Sequence, residues 1–174
     1  MFRISIALTA CWTFLAGAAA AMTLASSDIA PGAQIADAQI YPRCGGQNIS
    51  PQLSWSGVPN GTKSLVLTMI DTDVKPSQWS HWIVVDLPPE ITALPRGASR
   101  LAGRAKAIAS NFGDAFYDGP CPPNGTGIHH YVITLWAMPS ETTSIAANAR
   151  ASDVSAMLAR SALDHASLTG WVER

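Results

Sequence analysis

Side chains able to do chemistry gather in this sequence at a few short stretches. The densest is Gly119-Pro120-Cys121-Pro122-Pro123-Asn124-Gly125-Thr126-Gly127, which runs into Ile128-His129-His130-Tyr131. Its prolines fix φ and remove backbone donors, while its glycines allow turns and close backbone approach, so the loop is expected to hold a definite shape. An extended strand after it would place His129, Tyr131, Ile133 and Leu135 on one face, and His130, Val132, Thr134 and Trp136 on the other. One imidazole and one phenol then share a surface. Asp71-Thr72-Asp73 closes the apolar run Ser64-Leu65-Val66-Leu67-Thr68-Met69-Ile70, and a carboxylate at the lip of a buried strand needs partners or solvent. His81 lies near the start of the next apolar run. A hairpin of these two runs brings Asp71 and His81 to one edge. Carboxylate, imidazole and phenol groups there could exchange hydrogen bonds with a small polar ligand. Taken singly, each has a plainer use: a strand histidine is more often a packing residue, and an Asp after a strand is a common turn former.

The elements that must position these groups are mostly strands. Residues 64–71 are apolar on both faces, as expected of a central strand covered on two sides. Residues 80–86 form a second strong strand, and the alternating run ends at Met138-Pro139. Weaker extended pieces are expected at 22–27, within 48–62 ahead of the Asn60-Gly61 turn, within 104–112 and at 167–172. Between 87 and 103, prolines and glycines indicate a long excursion. Residues 152–165 read as a helix with Ser152 as N-cap and Asp153 in the first turn, and Val154, Met157, Leu158, Ala162 and His165 fall on one face. Trp55, Trp79 and Trp82 are expected to pack. Asn48, Asn60 and Asn124 each open an Asn-x-Ser/Thr sequence, which reads as turn chemistry rather than glycosylation.

Residues 1–21 carry one charge, Arg3, then an apolar run and Gly17-Ala18-Ala19-Ala20-Ala21, the layout of a secretory signal peptide. A retained anchor is the rival reading, because the apolar stretch approaches the roughly 20 residues that span a bilayer. Leu8-Thr9-Ala10-Cys11 resembles a lipid-attachment box but sits early, with more apolar sequence after it. Cleavage leaves one domain, residues 22–174, and no stable membrane insertion is expected of it; a periplasmic or secreted location follows. With Arg3 gone, ten basic residues stand against twelve acidic ones and no like-charge run occurs, which gives nucleic-acid binding little support. Loss of Cys11 leaves Cys44 and Cys121, an even number in an exported chain, so a disulfide between them is expected, with two buried free thiols as the alternative.

Several separated motifs together resemble the phosphatidylethanolamine-binding protein family, in particular its bacterial Raf-kinase-inhibitor-like branch. They include Ser50-Pro51, Leu53-Ser54-Trp55, Gly61-Thr62-Lys63-Ser64, Asp71-Thr72-Asp73, His81-Trp82-Ile83-Val84-Val85-Asp86 and Leu94-Pro95-Arg96-Gly97. Asn111-Phe112-Gly113, Tyr117-Asp118-Gly119-Pro120-Cys121-Pro122-Pro123 and Gly127-Ile128-His129-His130-Tyr131 follow in the family's order and spacing. The resemblance implies a mostly β fold with a C-terminal helix, built of two antiparallel β-sheets with a small anion-binding pocket at one edge. It also implies a ligand-binding set of Asp71, His81, Pro122, His129 and Tyr131, with Asp73 and Trp79 nearby. Thr72 stands where the family has proline, a later proline is displaced to Pro76, and His130 replaces the usual Arg.

In such a pocket a carboxylate beside two imidazoles would raise their pKa and make them better donors to a phosphate-like anion. Tyr131 would donate its hydroxyl, and Asp71 would orient a histidine or accept from the amine of a zwitterionic head group. The expectation is a non-enzymatic protein that binds a small anionic or phosphorylated ligand, without cofactor or metal. A protein target, as for an inhibitor module, is the alternative. A zinc hydrolase using His81, His129 and an Asp lacks regular ligand spacing, and no Gly-x-Ser-x-Gly elbow marks a serine nucleophile.

Overall fold

A strand with no polar face needs cover on both sides, and β3 (Ser64–Asp71) is buried at every position. Its apolar run is followed by β4 (Trp79–Leu87) and pairs with β7 (Ile128–Met138), forming the centre of a five-stranded antiparallel sheet ordered β6-β4-β3-β7-β8. The edges are β6 (Lys106–Ile108) and β8 (Asp164–Glu173). A small antiparallel sheet, β1 (Thr23–Ala25), β2 (Leu53–Ser56) and β5 (Ala93–Leu94), supplies cover for one face. The computed structural model describes residues 21–98, 100–146 and 148–174, and the expected leader lies outside the described residues except for Ala21.

Alternation along the strands divides the apolar residues into two cores. Leu65, Leu67, Met69, Trp82, Val84, Ile133 and Leu135 turn inward against Leu53 and Trp55 of the small sheet. Val66, Ile83, Val85, Trp136 and Met138 turn outward, where Val154 and Leu158 of α1 (Ala151–Ser161) cover them. Burying each large aliphatic side chain contributes about 1.5 to 3 kcal/mol, which makes the sheet-centred sandwich the main source of stability.

The helix is shorter than its periodicity suggests. Arg150 occupies the N-cap with no side-chain cap bond, and Ser152 lies inside the first turn with its N–H on the Ser77 carbonyl. At the other end Leu163 donates to Ala137, and Asp164 and His165 pair with Ala137 and Trp136 as the start of β8. Ladder hydrogen bonds to β7 and a stacked His165–Trp136 contact, 5.0 Å between centroids, outweigh the helical spacing that placed Ala162 and His165 on a helix face. Trp55 and Trp82 are buried as expected, and the Trp55 indole donates to the Ile91 carbonyl.

Candidate functional site

Register brings the polar groups together. Asp71, at the end of β3, lies opposite Tyr131 of β7 on one side and Trp79 of β4 on the other. His129 shares the inner face with Tyr131, both buried, while His130 between them is exposed. The His81 ring lies edge-on to Tyr131 with centroids 5.0 Å apart.

His129 Nδ1 lies 2.7 Å from Asp71 Oδ2, a buried contact. Its Nε2 lies 3.0 Å from Thr126 Oγ1, and that hydroxyl donates to the Pro123 carbonyl at 2.7 Å. The Asp71 carboxylate accepts from His129 Nδ1, which holds the ring behind the pocket, and Thr126 occupies its other nitrogen. The Asp71 Oδ1 atom accepts from the Asp73 backbone N–H at 2.9 Å.

His81 is arranged differently. Nδ1 lies 2.9 Å from the Asp118 carbonyl, which can only accept, so that nitrogen carries the proton. Burial is the largest influence on the ring and lowers its pKa to about 4; Asp71 pulls upward but loses. This corrects the expectation that the carboxylate raises the His81 imidazole. At neutral pH the ring is uncharged, and Nε2 is an acceptor. The Tyr131 hydroxyl is buried without a hydrogen-bond partner among the described residues. Burial, then the nearby Asp71 charge, pushes the phenol pKa up, so the hydroxyl keeps its proton as a donor. Leaving such a group unpaired costs roughly 1 to 3 kcal/mol, a cost that a ligand acceptor would remove.

These groups open on a pocket of about 330 Å³. Asp71, His81 and Tyr131 are its polar contributions, and its walls are apolar: Val74, Trp79, Phe112 and the Pro122-Pro123 pair. Of the expected ligand set, Asp71, Trp79, His81, Pro122 and Tyr131 line it. His129 stands behind Asp71 as its partner. Asp73 turns its carboxylate to the backbone N–H of His130 at 2.7 Å and to that residue's Nδ1 at 2.9 Å. The backbone bond is the chief reason its pKa is lowered. Trp79, 38% exposed, forms the rim rather than core packing.

Phe112 is the pocket residue that sequence reasoning left without a role. Its ring packs on Tyr41, Trp79 and His81 with centroids 5.2, 6.0 and 5.2 Å apart. Asn111 holds it there: its side-chain oxygen accepts from Ser80 N–H and Oγ–H at 2.7 and 2.9 Å. The Asn111-Phe112-Gly113 motif was the available signal.

The proline loop is clasped from several sides. Cys121 is bonded to Cys44, with Cα atoms 5.5 Å apart. Asn48 accepts from Gly119 N–H at 2.7 Å and donates to the Tyr117 carbonyl at 3.1 Å. Gly119 is required by close approach, because a Cβ there would lie 2.1 Å from the Gln39 carbonyl oxygen. Among the described residues no three His, Cys, Asp or Glu side chains are grouped to hold a metal ion.

The sequence model for "Phosphatidylethanolamine-binding protein" matches residues 25–173. The UPF0098 protein YbcL of Escherichia coli K12 is 37% identical over 159 residues, 87% of this chain and 87% of that protein. Its crystal structure, described as a new member of the mammalian PEBP family, superposes with a TM-score of 0.81 at 34% identity, covering 89% of this chain and 99% of that one. LppC of Mycobacterium tuberculosis, named as a candidate lipoprotein, is 37% identical over 124 residues, 71% of this chain and 59% of its own length.

Proposed function

The chain belongs to the phosphatidylethanolamine-binding protein family, and on that footing we propose that it is an exported, non-enzymatic protein whose pocket binds a small phosphate-like anion. The observation that carries this is the buried Tyr131 hydroxyl, without a hydrogen-bond partner among the described residues, on a residue that lines a pocket whose one carboxylate is already paired with His129. Tyr131 supplies a donor, while His81 Nε2 at neutral pH supplies an acceptor. A phosphate monoester carrying one proton matches both: an unprotonated oxygen takes the Tyr131 hydrogen, and its own O–H donates to Nε2. Apolar walls exclude water and strengthen both bonds.

Binding without turnover is supported by the engagement of the His129 ring: it is buried behind Asp71, with Nδ1 2.7 Å from the Asp71 carboxylate and Nε2 3.0 Å from the Thr126 hydroxyl, so both nitrogens already have partners within the protein. Export is supported by the leader pattern of residues 1–21 and by the Cys44–Cys121 disulfide, since such bonds persist in oxidising compartments.

Native mass spectrometry of gently purified protein, with phosphate and phosphoethanolamine added, tests the proposal. A one-to-one adduct with unchanged mass of the small molecule is expected, and Tyr131→Phe should lose it while remaining folded. No adduct with either compound, or equal retention by Tyr131→Phe, would overturn the reading.

A further inference from the structure

A second cleft, of about 390 Å³, adjoins the pocket and shares its Phe112, Cys121, Pro122 and Pro123 wall. Its character is different. Arg43 and Arg174, far apart in sequence, both line it, with Tyr41 and Asn124 beside them, and no acidic side chain is among its lining residues. Arg43 has no side-chain hydrogen bond or ion pair among the described residues, while Arg174 donates only to the sulfurs of the Cys44–Cys121 bond, weak acceptors that leave most of the fork unused. The carboxylates that do form ion pairs, Asp28, Asp71, Asp73 and Glu141, are engaged elsewhere. The Arg174 backbone carbonyl is turned away and accepts from the Gly125 and Gly127 N–H groups.

Two arginines lining one cleft with no acidic side chain between them suit a phosphate or carboxylate, which each can grip through paired N–H donors. The main pocket, by contrast, has no lysine or arginine in its lining: Tyr131, His81 and the His129-paired Asp71 are its polar groups, set in apolar walls. We infer that the cleft is a second anion subsite, and that the ligand is bis-anionic: one acidic group enters the pocket, and the other lies between Arg43 and Arg174. The span joining them crosses the Phe112 and Pro122 ridge and is therefore apolar. This rests on the anion reading of the pocket and names the ligand class that reading leaves open. The disulfide, lying in the wall common to both cavities, fixes their separation, so the ligand is selected by length as well as by charge.

A chain-length series of alkane bisphosphonates, compared with the matching monophosphonates by calorimetric titration, tests the inference on wild type and on an Arg43→Ala/Arg174→Ala double variant. Wild type should bind the bisphosphonate of one length about tenfold more tightly than its monophosphonate, as expected when a second group binds from an effectively concentrated position. The double variant should lose that gain and keep its monophosphonate affinity. Equal mono and bis affinities on wild type would overturn the subsite while leaving the pocket intact. So would a gain that survives in the double variant, or a double variant in which both ligand types weaken together, the mark of general attraction. If wild type binds neither series, the pocket reading fails first and the subsite with it.

Discussion

Two titrating groups at the back of the pocket pull stability in opposite directions. Burial lowers His81 from 6.5 to about 4, so between those pH values the unfolded chain holds a proton that the folded chain refuses. That makes folding more favourable as pH rises through the window. Asp118, whose carbonyl receives the His81 N–H, is raised by burial from 3.8 to about 6. There the folded chain keeps a proton that the unfolded chain has released, and stability falls as pH rises. The opposing slopes overlap, so the wild-type profile should be nearly level. Asp118→Asn keeps an acceptor for the Ser110 hydroxyl and removes one slope. The unfolding free energy of the variant, from denaturant titration, should climb between about pH 4 and 6.5 by on the order of 3 kcal/mol in all, and a level profile would contradict the assignment. The sequence placed His81 beside Asp71 and Tyr131 but gave the wrong direction for its proton affinity. Neighbouring charges can be read from motifs, whereas depth of burial depends on the tertiary cover that Phe112 and the proline loop supply.

Among the elements, those whose patterns have a single explanation were the most legible. Strand β3 reads as a continuous apolar run because two cores meet on it, and β7 reads as alternation because His130 faces solvent while His129 and Tyr131 do not. The end of the helix was misread because its residues satisfy two periods at once, and pairing with β7 decides for the strand. Phe112 had no readable role because the bonds that aim it join Asn111 to Ser80, residues distant in sequence. The proline loop and the turn at Pro42–Cys44 are tied by the Cys44–Cys121 bond across 77 residues of chain. A Cys44→Ser/Cys121→Ser double variant should lose about 2 to 4 kcal/mol in equilibrium denaturation. An unchanged midpoint would mean that Asn48, Gly119 and the Tyr41–Pro120 backbone bond already hold the loop unaided.

Across the whole molecule, the sandwich separates stability from recognition. The outer core under α1 is remote from the pocket in the layer order, and the inner core ends where Tyr131, His81 and Asp71 replace aliphatic residues at one edge of the large sheet. An edge built in this way carries, in Tyr131, a buried hydroxyl donor without a partner among the described residues, and a bound acceptor would complete it. The four histidines report on this directly because they occupy distinct places: His81 in the pocket, His129 behind it, His130 on the exposed face and His165 stacked on Trp136. Imidazole nitrogen shifts followed by NMR during titration with inorganic phosphate therefore test the central claim most directly. The account predicts a saturable change that is largest at His81 Nε2, is absent at His165 and is abolished in Tyr131→Phe. An unmoved His81 in excess phosphate, or a uniform drift of all four rings, would contradict it.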